Sequence, residues 1–412
     1  MVTAAAVAVA MALQPVPVRI QGEPGSFQLV RGGQPYFIKG AGGGTTFATL
    51  KRAGGNSVRT WGAENLWGQL NEAHEHGMTM TIGVWLGHKR HGFRYDDPKM
   101  LREQFERTRA AVREYKNHPA LLMWALGNEM ELDGDEDAIW KHIEELAQMV
   151  KKEDPNHPVM TVVAEINPEK IGRIKRLAPS LDLLGVNSYG GLRTLGKRLQ
   201  DLGWTKPFVV TEHGYLGQWE AAKTSWGVPI EPTSTDKARG YREMYEAGIL
   251  GFRGRALGSY VFLWGEKQEQ TATWHGMFLR TGEALQTVET MAKLWGGEPG
   301  PNLAPVIEKL ELPGDLANVK PGATLAATVN AKDPNGDALR YDWLIQPEQD
   351  QLLKGGDNEK RLAEMRDAIQ GSGPKVTVKV PTVPGAYRLF LYLHDGNGKA
   401  ATGNIPFRVV AP

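Results

Sequence analysis

The 412-residue sequence contains no cysteine. Disulfides, thiolate metal sites and a cysteine nucleophile are therefore excluded. It also lacks a charge imbalance: 48 basic residues stand against 47 acidic ones, a formal net charge of +1. No broad field points to nucleic acid or to an anionic membrane. After residue 20 no apolar run has the length of a membrane span. What the chain has in plenty is glycine (49) and tryptophan (12). The first indicates many tight turns, and the second suits a large core or surfaces that stack on sugars. The N-terminal "MVTAAAVAVAMALQPVPV" is apolar, rich in small residues and ends near "AMA". Residues 1–20 thus read as a signal-like segment, although a basic start is missing, and export to the periplasm or medium is expected.

Between residues 36 and 295 one unit recurs: a short apolar run, a polar or glycine-rich turn, then an amphipathic stretch. The runs are "YFIKG" (36–40), "NSVRTW" (56–61), "MTMTIGVWL" (78–86), "ALLMWALGN" (120–128), "PVMTVVAE" (158–165), "LDLLGVNSY" (182–190), "PFVVTEHG" (207–214) and "LGSYVFLWG" (257–265). Helices are expected over 98–116, 136–153 and 236–249. Apolar strands alternating with helices indicate a parallel sheet buried on both faces. Eight such units in about 260 residues fit a (β/α)8 TIM barrel over residues 21–298. An open doubly wound sheet fits less well. "GAGGG" (40–44) approaches a dinucleotide fingerprint but has no suitably spaced acidic partner, and reads as a flexible first loop.

"GGEPGPNLAP" (296–305) is a glycine- and proline-rich linker. Beyond it, alternating strands separated by "DPNGD" and "DGNGK" turns predict an immunoglobulin-like β-sandwich over 299–412. A helical insertion is expected at roughly 357–370. "DPNGD" (333–337) offers clustered oxygens for calcium, but a simple hairpin turn is the preferred reading. The sandwich is expected to be a spacer packed on the barrel, since no aromatic stripe marks its strands.

In a (β/α)8 barrel the chemistry sits at the C-terminal ends of the strands. Run two ends in Arg59, Thr60 and Trp61. Run three ends in Trp85 and His88, run four in Asn128 and Glu129, run six in Asn187 and Tyr189. Run seven ends in Glu212 and His213, and run eight in Trp264 with Glu266 beyond. Glu129 and Glu212 are three βα units apart, so they face each other across the mouth. Repulsion at short range would raise the pKa of one and leave the other ionised. That division suits glycoside hydrolysis. Glu131, two residues past Glu129, reads as a rim contact or as the partner of a basic side chain.

"WALGNE" followed by "VVTEHG" resembles the clan-A glycoside hydrolases, nearest to the TIM-barrel domains of the family-2 type and more loosely to β-glucanases and glucanosyltransferases. "GGNSVRTW" and "FLWG" are similar to its general pattern. The resemblance implies that Glu129 is the acid/base and Glu212 the nucleophile of a retaining reaction, with carboxyl groups about 5–5.5 Å apart. It also implies that Asn128 binds the sugar 2-hydroxyl, that Arg59 and Tyr189 attend the nucleophile, and that Trp264 floors the −1 subsite. Trp61, Asn187 and His213 complete the expected substrate contacts. The order of parts departs from family-2 enzymes, which place a jelly roll and a sandwich before the barrel. "TEHG" replaces the commoner "TEYG" or "SEYG".

The expected substrate is a β-linked oligosaccharide or polysaccharide, first an endo-cleaved β-1,3-glucan. Alternatives are transfer to a second sugar, cleavage of galactosides or mannosides, or a carbohydrate-binding pseudo-enzyme. No cofactor or metal is expected, and the chain is expected to be a monomer. His88, Lys89, Arg90 and His91 form a polar cluster in the third loop without metal-ligand spacing. Trp219, Trp226 and Trp274 lie in long loops after runs seven and eight, where each can either pack or stack on sugar.

Overall fold

The computed structural model describes residues 14–43, 46–134, 136–349, 353 and 356–411. Most of the signal-like segment, residues 1–13, and Gly44 of the first loop lie outside them. Val18 and Arg19 nevertheless belong to the folded part. They open a small antiparallel sheet of β1 (Val18–Gln21), β2 (Gln28–Arg31) and β3 (Gln34–Tyr36). This sheet, absent from the sequence reading, plugs the bottom of the barrel. Val18 and Leu29 join the cluster of Leu122, Met160, Leu183 and Leu257. The Arg31 guanidinium donates to the Pro119 carbonyl, and the Tyr36 hydroxyl to that of Asn56.

All eight apolar runs become strands of one closed parallel barrel. In chain order these are β4 (Ile38–Gly42), β5 (Ser57–Arg59), β6 (Thr79–Val84), β7 (Leu121–Leu126), β8 (Val159–Ala164), β9 (Leu183–Asn187), β10 (Phe208–His213) and β11 (Ala256–Val261). The connecting helices are α1 (Phe47–Arg52), α2 (Trp67–Glu75), α3 (Pro98–Tyr115), α4 (Asp137–Glu153), α5 (Pro168–Leu177), α6 (Leu192–Asp201), α7 (Ser234–Gly248) and α8 (Gln286–Trp295). Local chemistry fixes several starts. Asp97, Asn167 and Thr233 each accept a backbone N–H at a helix N-terminus, and proline takes the first position of α3 and α5. Side chains alternate along each strand between the barrel interior and the helix ring. In β7, Met123 and Ala125 point inward while Trp124 and Leu126 join the outer core.

The alternation breaks at the end of β10. Its pairing with β9 shifts register between Val210 and Glu212, a local bulge. Thr211 and Glu212 then both serve the interior and mouth: Thr211 donates to Asn187, and Glu212 receives Arg59. His213 is turned outward against Tyr241 and Tyr245 of α7.

The C-terminal part forms two antiparallel sheets. One is β12 (Val306–Glu311), β13 (Thr324–Lys332), β16 (Lys375–Lys379) and β15 (Ile369–Gln370). The other is β14 (Arg340–Pro347), β17 (Gly385–His394) and β18 (Ala400–Val409). Ile307, Val329, Trp343, Leu389, Leu391 and Phe407 share its core. A buried polar network ties this sandwich to the barrel. Glu231, before α7, receives Lys237 at 2.5 Å and the Asn404 amide at 2.7 Å, while Arg388 donates to the Pro229 carbonyl.

The helix expected at 357–370 does not form. The described chain there is extended or turned, and β15 occupies 369–370. Its helix-favouring residues are used for tertiary bonds instead. Glu359 accepts the Gln270 N–H, Arg361 pairs with Glu266, and Met365 bridges to Ile345 of β14. Local propensity is a weak prior against several such contacts.

Candidate active site

Glu212 stands at the bulged end of β10 and is 6 % exposed. Its Oε1 accepts from Arg59 Nη1 at 2.8 Å and from Trp61 Nε1 at 2.7 Å, and its Oε2 from the Tyr189 hydroxyl at 3.3 Å. Three donors, one cationic, hold this carboxylate in a single orientation. Arg59, at the end of β5, is itself buried and also donates to the Thr211 carbonyl. It positions Glu212 from behind rather than facing open space.

Glu129 follows β7 in a different setting. Among the described residues its side chain has one donor, Asn187 Nδ2, at 2.8 Å from Oε1. Burial, and secondly the charge of Glu212, push its pKa up to about 8, with Glu131 adding a smaller push. The backbone is unusual here: Gly127 has φ 74° and Glu129 φ 54°. A left-handed glutamate is uncommon and costs on the order of 1 kcal/mol or more. A Cβ on Gly127 would lie 2.8 Å from the Met130 side chain. Only glycine lets the chain turn this sharply to raise Glu129 into the mouth.

Asn128 and Asn187 link the two glutamates. Asn128 Oδ1 accepts from Arg59 Nη2 at 2.7 Å and from Asn187 Nδ2 at 3.2 Å. Fixing that oxygen aims the Asn128 amide N–H2 away from Arg59, where it can donate to a sugar hydroxyl. Asn187 is fixed in turn by Thr211, whose hydroxyl donates to Oδ1 at 2.7 Å. Arg59, Trp61, Asn128, Glu129, Asn187, Tyr189 and Glu212 are therefore one hydrogen-bonded constellation at the C-terminal mouth.

Two expected contacts are corrected. His213 is fully buried, faces Ser259 Oγ at 3.1 Å and packs on α7, because the bulge sends it outward. Burial drives its pKa down to about 3. Trp264 is also buried, against Phe278 of the loop after β11 and Trp295 of α8. β11 ends at Val261, and the aromatic that reaches the mouth is Phe262. Its ring meets Trp61 edge-on at 5.8 Å and lies 6.3 Å from Tyr189. Reading the first residue past the strand end, instead of the tryptophan of "FLWG", would have found it. His275 had no sequence signal, yet its ring lies 5.5 Å from Tyr189 and 5.4 Å from Phe262. Burial lowers its pKa to about 4, so it is neutral at physiological pH.

Glu131 is not at the rim. It is buried, paired with Lys170 at 2.7 Å, and accepts the Ala164 N–H. The third-loop cluster is an ion-pair network: Arg90 bridges Asp133 and Asp357, and His91 faces Asp357. Asp357 belongs to the sandwich. Together with Gly356, Glu359 and Arg361 it ties the sandwich to the loops after β6 and β11. Among the described residues one group of carboxylates, Asp333, Asp337 and Asp395, could share a cation, with ligand atoms within 4.8 Å of one another. It lies in the sandwich turns, and Asp333 Oδ1 there accepts the N–H groups of Asn335 and Asp337 as a turn would. No helix among the described residues is long and apolar enough to cross a membrane.

Residues 67–222 match the family described as "Glycosyl hydrolases family 2, TIM barrel domain". That segment contains both glutamates, both asparagines and Tyr189. A curated "Beta-galactosidase" of Pectobacterium atrosepticum is 36 % identical over 64 residues, 16 % of this chain and 6 % of that protein. The fold is similar to a Ruminococcus gnavus β-glucuronidase, with a TM-score of 0.54 and 17 % identity over 68 % of this chain and 52 % of the other. It is also similar to Bacteroides uniformis β-glucuronidase 2 "covalently bound to cyclophellitol-6-carboxylate aziridine", with a TM-score of 0.53 and 13 % identity over 95 % of this chain and 48 % of that one. The chain spans about half the length of these solved structures.

Proposed function

We propose, from the premise that the barrel is a glycosyl hydrolase family 2 TIM barrel, that the chain is a retaining β-glycosidase. The observation that carries this reading is the unequal pair of glutamates. Glu212 is fixed by three donors, whereas Glu129 is held by one and has its pKa pushed up to about 8. In the proposed reaction Glu212 attacks the anomeric carbon as Glu129 gives its proton to the leaving oxygen. The bond to the aglycone breaks and a Glu212–glycosyl ester forms. Glu129, now ionised, takes a proton from water, which attacks the same carbon and frees Glu212. Asn128 supports the step with an amide N–H aimed at the neighbouring sugar hydroxyl.

The test is a 2-deoxy-2-fluoro glycoside with a good leaving group. The expected result is a mass increase of one fluorosugar, mapped to the peptide carrying Glu212. A label on any other residue, or inversion at the anomeric carbon, overturns the assignment. For the sugar itself, an endo-cleaved β-1,3-glucan stays the first reading, supported by the motif likeness and the long mouth loops. The names of the similar proteins support a second, the chain-end β-glucuronide or β-galactoside. A screen of glucans, galactosides and glucuronides separates the two. Products longer than the starting oligosaccharide would instead identify a transferase.

A further inference from the structure

Trp219 is the most exposed aromatic ring among the described residues, with 55 % of its surface open. It sits in the loop between β10 and α7, beside Tyr189 of the candidate site. Its indole meets Tyr189 edge-on, with centroids 5.4 Å apart and planes at 89°. The Tyr189 hydroxyl in turn donates to Glu212. The open ring is thus one side chain removed from the proposed nucleophile. On its other flank it lies 6.3 Å from His275.

The ring is held in place despite its exposure. A Cβ on Gly217 would fall 2.4 Å from the indole, so the ring lies directly on a backbone that only glycine leaves bare. The side chain of Gln218 is buried, donates to Glu269 and faces His275 at 3.0 Å. The Glu220 carboxylate accepts the N–H groups of Gly190 and Gly217. Residues on both sides of Trp219 are therefore bonded to the loops that follow β9 and β11. The backbone on either side of the ring is thus held by neighbouring loops, and the indole rests on Gly217 and against Tyr189, which lowers the cost of ordering it for a ligand. A flat apolar face presented in this way fits the C–H face of a pyranose, while sugar hydroxyls at the edge stay in water.

We infer that Trp219 is the platform of a second sugar subsite, which stacks the hexopyranose adjoining the one held between Glu129 and Glu212. The inference rests on the glycosidase reading and specifies its substrate as a chain of at least two β-linked hexoses. Two measurements test it. In the first, kcat/KM is compared for an oligosaccharide and for an aryl monoglycoside of the same sugar. Trp219→Ala should lower the oligosaccharide-to-aryl ratio about 10- to 100-fold, the span of one lost pocket contact, and Trp219→Phe should recover part of it. An unchanged ratio overturns the proposal, because a ring that merely supports Tyr189 would affect both substrates alike. The second is a binding titration of the Glu212→Gln variant with the oligosaccharide, read by tryptophan fluorescence and calorimetry. Saturable binding that weakens about 10-fold or more when Trp219→Ala is added supports the subsite. That holds even if no hydrolysis is found, in which case the glycosidase reading fails alone. Binding of equal strength with and without Trp219 refutes the subsite while leaving the glycosidase reading in place.

Discussion

The ends of β7 and β10 each deliver a glutamate to the same mouth, yet the two regions treat it in opposite ways. At β10 a bulge turns Glu212 toward an arginine, an indole N–H and a phenol. At β7 a left-handed backbone lifts Glu129 into a poorly bonded position, where burial and its acidic neighbours favour the proton. One region is built to hold a carboxylate in place, and the other to hold an acid. Identity of side chain therefore says little about role. The donors around each oxygen decide it.

The comparison is broken most severely by removing its fixed member. Glu212→Ala should reduce kcat at least about 10⁴-fold on any glycoside, since the proposed covalent intermediate could not form. Circular dichroism should show an intact fold. If activity survives, Glu212 is not the nucleophile. Glu129→Gln should be more selective. It should cost about 10²- to 10⁴-fold on a sugar leaving group but far less on a dinitrophenyl one, which needs no proton. Equal losses on both substrates would mean that Glu129 is not the acid.

The same variant also tests the electrostatics without any substrate. With a folded pKa near 8 and an ordinary unfolded one, the native state binds the extra proton between them. Stability then falls as pH rises from the ordinary carboxylate range to about 8. Glu129→Gln lacks that slope. Its melting temperature should therefore gain on the parent as pH is raised from 5 to 8. A constant difference would show that Glu129 does not hold its proton. In the parent enzyme kcat/KM should decline above about pH 8, as the acid loses its proton.

The sequence carries much of this and omits the rest for identifiable reasons. The eight apolar runs and the placement of Glu129 and Glu212 at strand ends were readable because burial on both faces leaves a continuous apolar signature. His213 was misplaced because the bulge breaks the period-2 rule on which a strand-end reading relies. Trp264 was misplaced because β11 stops three residues earlier than the motif suggests. The plugging sheet, β1 to β3, is made of short strands around glycine turns whose partners lie on other strands. The expected helix at 357–370 lost to bonds with residues about 90 positions away. Tertiary partners of that kind leave no trace in local pattern.

A smaller change sharpens the comparison. Trp61→Phe removes one donor from Glu212 and keeps the ring against Phe262. A hydrogen bond to a charged group contributes about 1.5–3 kcal/mol, so kcat should fall about 10- to 100-fold while KM changes little. Tyr189→Phe should cost less, because its bond is longer at 3.3 Å. If the order is reversed, the phenol rather than the indole orients the nucleophile.

The smallest effect belongs to Glu131. Its charge is one of those that raise Glu129, and it is paired with Lys170. Glu131→Gln removes a negative charge near the acid and leaves the lysine uncompensated. Both changes favour the ionised form of Glu129, so the alkaline limb of the kcat/KM profile should move to lower pH. The loss at the optimum should stay within about 10-fold, well short of that for Glu129→Gln. A pH profile measured alongside the melting temperature separates this from structural damage. A stability loss lowers the whole profile, whereas a lost charge slides its alkaline limb. An alkaline limb that stays in place would show that Glu131 braces the loop without tuning the acid. The proton affinity of Glu129 would then rest on burial and Glu212 alone.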